Sequence, residues 1–231
     1  ITLNFVWNTT GVPAGIYYIY AMTPTVPGEK DTNDNACRSV TMVTVTLPQY
    51  QITFGQYGVG SDFTGTVVTI DGTGYGVTGL PVSFWWNKNS QHNFSFASPL
   101  IVNSGKQYVW TSTSGLSSLQ SGTLTVTGSG SVTGNYKTQY VLTLKTSGLP
   151  SAYPTKVYLG GLQVGTASDA SPYTKWFNSG DSTGTIGVDN TVSGATGTRY
   201  VFIKWVEDSS TSNPRAAEIM NSPRTFTALY K

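Results

Sequence analysis

Pro81-Val82-Ser83-Phe84-Trp85-Trp86-Asn87 returns as Pro172-Tyr173-Thr174-Lys175-Trp176-Phe177-Asn178, with the proline, a hydroxyl residue, a tryptophan, a second aromatic and the closing asparagine at the same spacing. The copies start 91 residues apart, at positions 81 and 172, and landmarks on both sides keep nearly that offset. Tyr50-Gln51-Ile52-Thr53-Phe54 is echoed by Tyr140-Val141-Leu142-Thr143-Leu144, and Gly105-Lys106-Gln107-Tyr108-Val109-Trp110 by Gly197-Thr198-Arg199-Tyr200-Val201-Phe202. A period of about 90 residues is too long for a solenoid unit and suits a duplicated all-β module.

Working outward from the repeat, residues 50–139 read as strands over 51–54, 66–70, 82–86, 91–96, 106–111, 123–127 and 131–136. Val82, Phe84 and Trp86 alternate with Ser83 and Trp85, and His92, Phe94 and Phe96 with Asn93 and Ser95, the period of two expected of a half-buried strand. Residues 140–231 repeat the plan over 142–144, 156–159, 173–177, 185–188, 200–206 and 224–230. Their closing Ala228-Leu229-Tyr230-Lys231 matches Gly134-Asn135-Tyr136-Lys137. Gly, Ser, Thr and Asn fill the turns, and no helical period survives the spacing. The expected fold is all-β, a row of tandem Ig-like antiparallel β-sandwich domains joined by linkers of a few residues.

Residues 1–49 differ. Three strands are expected, over 1–7, 16–21 and 40–46, joined by turn-rich connectors. Trp7-Asn8-Thr9-Thr10-Gly11-Val12-Pro13-x-Gly15, then Tyr18-x-x-Ala21 and Val26-Pro27-Gly28-Glu29-x-Asp31-Thr32-x-Asp34-Asn35, resembles the C-terminal half of a CARDB module, the cell-adhesion-related Ig-like sandwich of prokaryotic surface proteins. The resemblance implies a sandwich of about seven strands, of which only the last three are here. Such a remnant leaves an open apolar face. The missing strands come from an upstream part of a longer chain or from another chain by strand addition. The two later units also resemble a repeated β-module of archaeal surface proteins, through Ile70-Asp71-Gly72-x-x-Tyr75, Pro81-x-Ser83-Phe84-x-Trp86 and Ser90-x-His92. The third unit departs from that pattern at Leu159-Gly160-Gly161, Lys175 and Thr183, so chemistry needing Asp71 or His92 would belong to one module only.

Composition narrows the function classes. A net charge of +2 with 10% charged residues offers no basic stripe for nucleic acid. No apolar run reaches the 18 residues of a membrane span, and a sequence opening on Ile1 without a leader-like stretch is expected to be a mature or excised piece of something longer. Cys37 is the only cysteine, which rules out an intrachain disulfide framework and a cysteine metal cluster. With 11 carboxylates in 231 residues, few groups can drive acid unfolding.

Catalytic chemistry is not indicated. His92, the sole histidine, sits in phase with Phe94 and Phe96, where a satisfied, partly buried imidazole is expected. Asp62 and Asp71 are the plausible acid pair of the second unit, but both lie in Gly-rich turns. The Gly-rich runs at 55–60 and 72–76 lack the lysine of a phosphate loop. Glu29, Asp31 and Asp34 crowd one connector with the oxygen chemistry of a calcium site but no EF-hand spacing. Asn8-Thr9-Thr10 and Asn93-Phe94-Ser95 are glycosylation sequons. A sandwich commonly buries its tryptophans, and a purely core role is the first reading of these aromatics; adjacent residues on a strand face opposite ways, however, so if Trp86 joins Phe84 inside, Trp85 and Tyr75 are left outside to stack on sugars or a neighbouring subunit, and Trp176 aligns with Trp85. The expectation is a non-enzymatic, cofactor-free structural subunit of an extracellular filament or surface layer, or a piece of a large adhesin, polymerising through strand addition at residues 1–49. The alternative is a carbohydrate-binding accessory module that takes surface glycans through Tyr75, Trp85, Trp86 and Trp176.

Overall fold

The computed structural model describes residues 6–231, and among them the chain is strands and turns with a single 3-10 turn at Val77–Gly79. The all-β expectation is borne out. The chain divides into two compact units: Ile1–Ile52 with Phe84–Ser90 and Thr125–Ser129, and Thr53–Ser83 with Gln91–Leu124 and Gly130–Lys231.

The first unit holds β1 (Gly15–Tyr17), β2 (Tyr20–Met22), β3 (Ala36–Arg38) and β4 (Val43–Val45). They form two separate antiparallel ladders, β1 with β4 and β2 with β3. The single strand expected over 16–21 therefore breaks at Tyr18-Ile19, because its halves have different partners. Ser39 holds the break, its N–H donating to Ile19 O at 2.7 Å and its Oγ accepting from Ile19 N at 3.0 Å. The strand expected over 40–46 shortens to β4, and most of that expected over 1–7 lies outside the described residues. Cys37 is exposed on β3 opposite Ala21.

The duplicated part begins with β5 (Gln49–Tyr57), β6 (Val68–Ile70), β7 (Thr73–Tyr75), β8 (Val82–Asn87), β9 (Gln91–Phe96), β10 (Leu100–Asn103), β11 (Lys106–Gly115), β12 (Ser121–Thr125) and β13 (Gly130–Ser147). It continues with β14 (Thr155–Leu159), β15 (Leu162–Ala167), β16 (Tyr173–Asn178), β17 (Ile186–Val188), β18 (Thr191–Ser193), β19 (Arg199–Trp205) and β20 (Arg224–Tyr230). The strand orders repeat. β10-β11-β13-β5-β8 faces β12-β9-β6-β7 in the first copy, and β18-β19-β20-β13-β16 faces β15-β14-β17 in the second.

β13 belongs to both copies. Its 18 residues span about 60 Å at the usual strand rise. Val132–Tyr140 pairs with β11, Gln139–Leu144 with β16 and Leu142–Ser147 with β20. A continuous hydrogen-bonded strand thus runs through position 139/140, where a short linker was expected. The ladder between β13 and β20 is parallel, a departure from the purely antiparallel sheets expected. Parallel pairing of the first and last strands of a module requires the chain to cross to the opposite sheet and return.

Alternation fills the interior. In the first copy Ile52 and Phe54 on β5, Val68 and Ile70 on β6, Phe94 and Phe96 on β9 and Val132 on β13 are buried, and the rings of Phe54 and Phe94 meet across the sheets at 5.8 Å. In the second, Leu142, Leu144, Phe177, Trp205 and Phe226 pack with Val157, Ile186 and Val188. One tyrosine locks each copy. Tyr136 donates its hydroxyl to Ala97 O at 2.9 Å, and Tyr230 donates to Asp189 O at 2.7 Å with Thr155 Oγ1 2.9 Å away. Burial raises both phenol pKa values well above the usual tyrosine range. Each lock abuts a glycine: Gly58 (φ 97°) and Gly148 (φ 84°) pass so close that an added Cβ would lie 2.2 Å from Tyr136 O and 2.3 Å from Tyr230 O.

Candidate interaction surface

Among residues 6–49 none is buried. Eleven large apolar side chains of this stretch are exposed, from Val6 and Trp7 through Ile16, Tyr18, Ile19, Tyr20, Met22, Val26, Val40 and Met42 to Leu47, whereas the remaining described residues of the chain contribute nine. Met22 is 78% exposed and Val40 fully so. A soluble fold tolerates scattered apolar side chains, but this density within one short segment marks an interaction surface. Two-stranded ladders explain the exposure. β2 and β3 pair with each other across Tyr20–Met22 and Ala36–Arg38, all six residues exposed, and among the described residues no second sheet covers them. Local aromatic contacts compensate in part. Trp7 meets Tyr17 edge-on at 5.8 Å, Tyr17 donates to Pro13 O at 2.7 Å, and the Arg38 guanidinium lies 4.2 Å above the Tyr18 ring. Val6, Trp7, Tyr17, Tyr18 and Ile19 line an open cleft of about 360 Å³.

The other candidates fall into place around this surface. Glu29 Oε2 accepts from Val26 N and from Asn35 Nδ2, both at 3.0 Å, which holds its carboxyl below the usual range, the Asn35 bond contributing most. Asp31 Oδ1 accepts from Asn33 N at 2.9 Å. These carboxylates shape their own turn, and Asp34 is not gathered with them: among the described residues no three His, Cys, Asp or Glu side chains converge as a metal site. Asn8 is exposed and accepts from Thr10 N at 3.0 Å. Asn93 is exposed on β9, its Oδ1 accepting from Thr123 Oγ1 at 2.6 Å.

His92 is half-buried with Nδ1 2.6 Å from Asp71 Oδ2, and Asp71 Oδ1 accepts from Asn93 N at 2.8 Å. Asp71, in a turn with φ 46°, thereby ties the β6–β7 turn to β9. Asp62 is elsewhere, bonded to Lys106 Nζ at 2.6 Å and to the Tyr108 hydroxyl at 2.5 Å; the lysine contact above all lowers its pKa and raises that of Lys106. The structure does not bring the two carboxylates together.

The β8 aromatics split as adjacent strand residues must. Phe84 and Trp86 stack on one face at 4.9 Å and 12°, both half-buried, while Trp85 on the other is 62% exposed. Thr53 Oγ1 lies 2.8 Å from Ser83 Oγ, and Gln49 Nε2 donates to Asn87 Oδ1 at 3.1 Å, a register that sets Gln51 opposite Trp85. Tyr75 lies on β7 opposite Val68, half-buried, apart from that face. Trp176 is half-buried opposite Val141. Lys175, standing where the first copy has Phe84, keeps the ring contact as a cation over Phe177 at 5.0 Å. The Gln49–Asn87 pair went unread in the sequence, although its echo as Gln139 and Asn178 was visible at the repeat offset.

No protein-family model matches the chain. No curated protein matches it either. Among solved structures it is similar to domains 3–4 of the Streptococcal High Identity Repeats in Tandem (SHIRT) from a cell surface protein, at 14% identity and a TM-score of 0.24, over 78% of this chain and 96% of that one. It is also similar to the Bacillus anthracis TIE protein, at 12% identity and a TM-score of 0.28, over 95% of this chain and 42% of that one. Likeness at this level adds nothing to the fold derived above. Among the described residues no helix is long and apolar enough to cross a membrane.

Proposed function

We propose that this chain is a structural module of the cell exterior that assembles head to tail, with the surface of residues 6–49 completed by a strand from a second copy. The carrying observation is the unburied N-terminal segment, whose apolar side chains are exposed beside short ladders with free edges. Each such side chain that becomes fully covered contributes roughly 1.5–3 kcal/mol. An added strand supplies backbone partners as well, and alternate side chains fix its register. A contact between different surfaces on successive copies does not close, so it propagates into a fibre. The resemblance of residues 7–35 to a cell-adhesion module, and the polar, weakly charged character of the repeats, support placement outside the cell. The continuous β13 fits a load-bearing role, because force passes along one hydrogen-bonded strand from copy to copy of the module. Negative-stain microscopy and light scattering over a concentration series test the proposal. Rods that lengthen with concentration are expected, and a monodisperse monomer at every concentration overturns it.

A further inference from the structure

The geometry points to a second function that does not depend on assembly: the outward side of β8 and the start of β5 binds a neutral glycan chain, with Trp85 as its stacking platform. The indole is 62% exposed, and its neighbours Phe84 and Trp86 are turned the other way and stacked on each other. Its face is therefore free of the core and open to a flat ligand. An exposed aromatic ring offers a broad apolar surface at little entropic cost. The C–H side of a pyranose ring matches that surface.

What surrounds the indole selects the ligand. Gln51 lies opposite, and Gln49 and Asn87 follow on the same side, all uncharged. The bond from Gln49 Nε2 to Asn87 Oδ1 orients both amides yet spends only part of their capacity, since each primary amide carries two donor hydrogens and an oxygen with two lone pairs. Sugar hydroxyls, which donate and accept, are the complementary chemistry. A side lined by neutral amides offers nothing to a sulfate or carboxylate that it does not offer to a hydroxyl, so neutral chains are preferred. The same amide pair forms part of the wall of a cleft of about 590 Å³ with Val45, Leu47 and Pro48. Asn87 follows Trp85 by two residues, about 7 Å along the strand. Platform and cleft are thus adjacent, as an oligosaccharide requires and a single sugar does not.

The duplication supplies an internal control. At the corresponding place in the second copy, Trp176 is half-buried opposite Val141. Gln139 there accepts from Gln107 Nε2 at 2.8 Å and donates to Asn178 Oδ1 at 3.1 Å, so its amide is engaged on both sides. The second copy keeps the pattern with the platform closed.

The test is a printed array of neutral and acidic oligosaccharides probed with the full chain, followed by titration of the best neutral hit with the wild type and with W85A, N87A and W176A. Retention of neutral oligosaccharides is expected, roughly tenfold or more weaker in W85A, as truncation of a central tryptophan produces, several-fold weaker in N87A and unchanged in W176A. Thermal melting of W85A checks its fold. The inference is overturned if no neutral glycan is retained above the W85A background, if W176A loses binding as W85A does, or if acidic glycans alone bind. Loss of self-association in W85A with no glycan retained assigns Trp85 to a subunit contact and overturns it too.

Discussion

Replacing Tyr230 by Phe removes one oxygen from a side chain only 2% exposed and tests whether the duplicated locks carry the stability of the two sandwiches. The hydroxyl donates to Asp189 O at 2.7 Å, and the ring, which contacts Phe202 at 6.1 Å, is retained in the variant. Packing is therefore preserved, and the loss is that of a buried carbonyl deprived of its donor, about 1–3 kcal/mol. For a chain of this size each kcal/mol lowers the melting temperature by roughly 2–4 °C, so Y230F melts about 2–12 °C below the wild type. Tyr136→Phe, which removes the donor to Ala97 O, behaves alike. The two losses add, since the hydroxyls share no partner. The pH dependence is a second readout. Burial raises both phenol pKa values in the fold, so the stability they contribute is complete below the unfolded value of about 10 and is lost as pH climbs above it. The double variant should lose less stability than the wild type on passing above that pH. Thermal melts followed by circular dichroism measure both effects, and a Y230F melt within about 1 °C of wild type, below the smallest expected loss, refutes the lock.

At Gly148 and Gly58, alanine meets positive φ and a carbonyl oxygen at 2.3 and 2.2 Å, so denaturant unfolding of either variant should show a loss of at least about 2 kcal/mol; a loss below 0.5 kcal/mol, the scatter of ordinary surface changes, would remove the close approach from the account. Gly134→Ala places a Cβ 2.5 Å from the Phe96 ring, whereas the second copy has Ala228 and Val188 at these places. The single variant is expected to be destabilised by about 1–3 kcal/mol, and Phe96→Val in the G134A background to be less costly than in the wild type. Equal costs in the two backgrounds would show the positions uncoupled. In acid, the carboxyls of Glu29 and Asp62 titrate below their ordinary values of 4.5 and 3.8, so their contribution is present above those values and lost as pH falls below them. Both are largely solvated and contribute little, so far-ultraviolet circular dichroism should hold between about pH 5 and pH 3; a cooperative loss in that range would point to carboxylates this account does not weigh.

The duplication was legible because it rests on spacing and alternation, which the strand itself imposes. β9 and β20 fall where alternation puts them, at Gln91–Phe96 and Arg224–Tyr230, and Trp85 lies on the open face opposite Phe84 and Trp86. The short strands β7, β10, β15 and β18 were not legible. They run three to six residues, and their partners across the sheet, rather than any run of their own, make them strands. The continuity of β13 was hidden by Thr138-Gln139, polar residues that read as a linker but sit in the ladder opposite Tyr108 and Gln107. The parallel pairing of β13 with β20 joins residues about 80 positions apart, beyond the reach of a local pattern. Of the candidate site, strand parity set Trp85 opposite Phe84 and Trp86, but it did not place Tyr75, which was expected outside with Trp85 and is half-buried on β7 apart from that face. The bonding of Asp62 to Lys106 and Tyr108 was not legible, because it depends on the pairing of distant segments.

Hydrogen exchange of the amides in residues 15–45, measured in dilute monomer and in concentrated, assembled protein, tests whether the N-terminal segment is completed by a second copy. Fast exchange is expected across β1 to β4 in the monomer and slow exchange once a second copy supplies a strand, with β13 slow in both states. Protection of β1 to β4 equal to that of β13 in dilute monomer would contradict this, since the segment would then need no second copy to be complete.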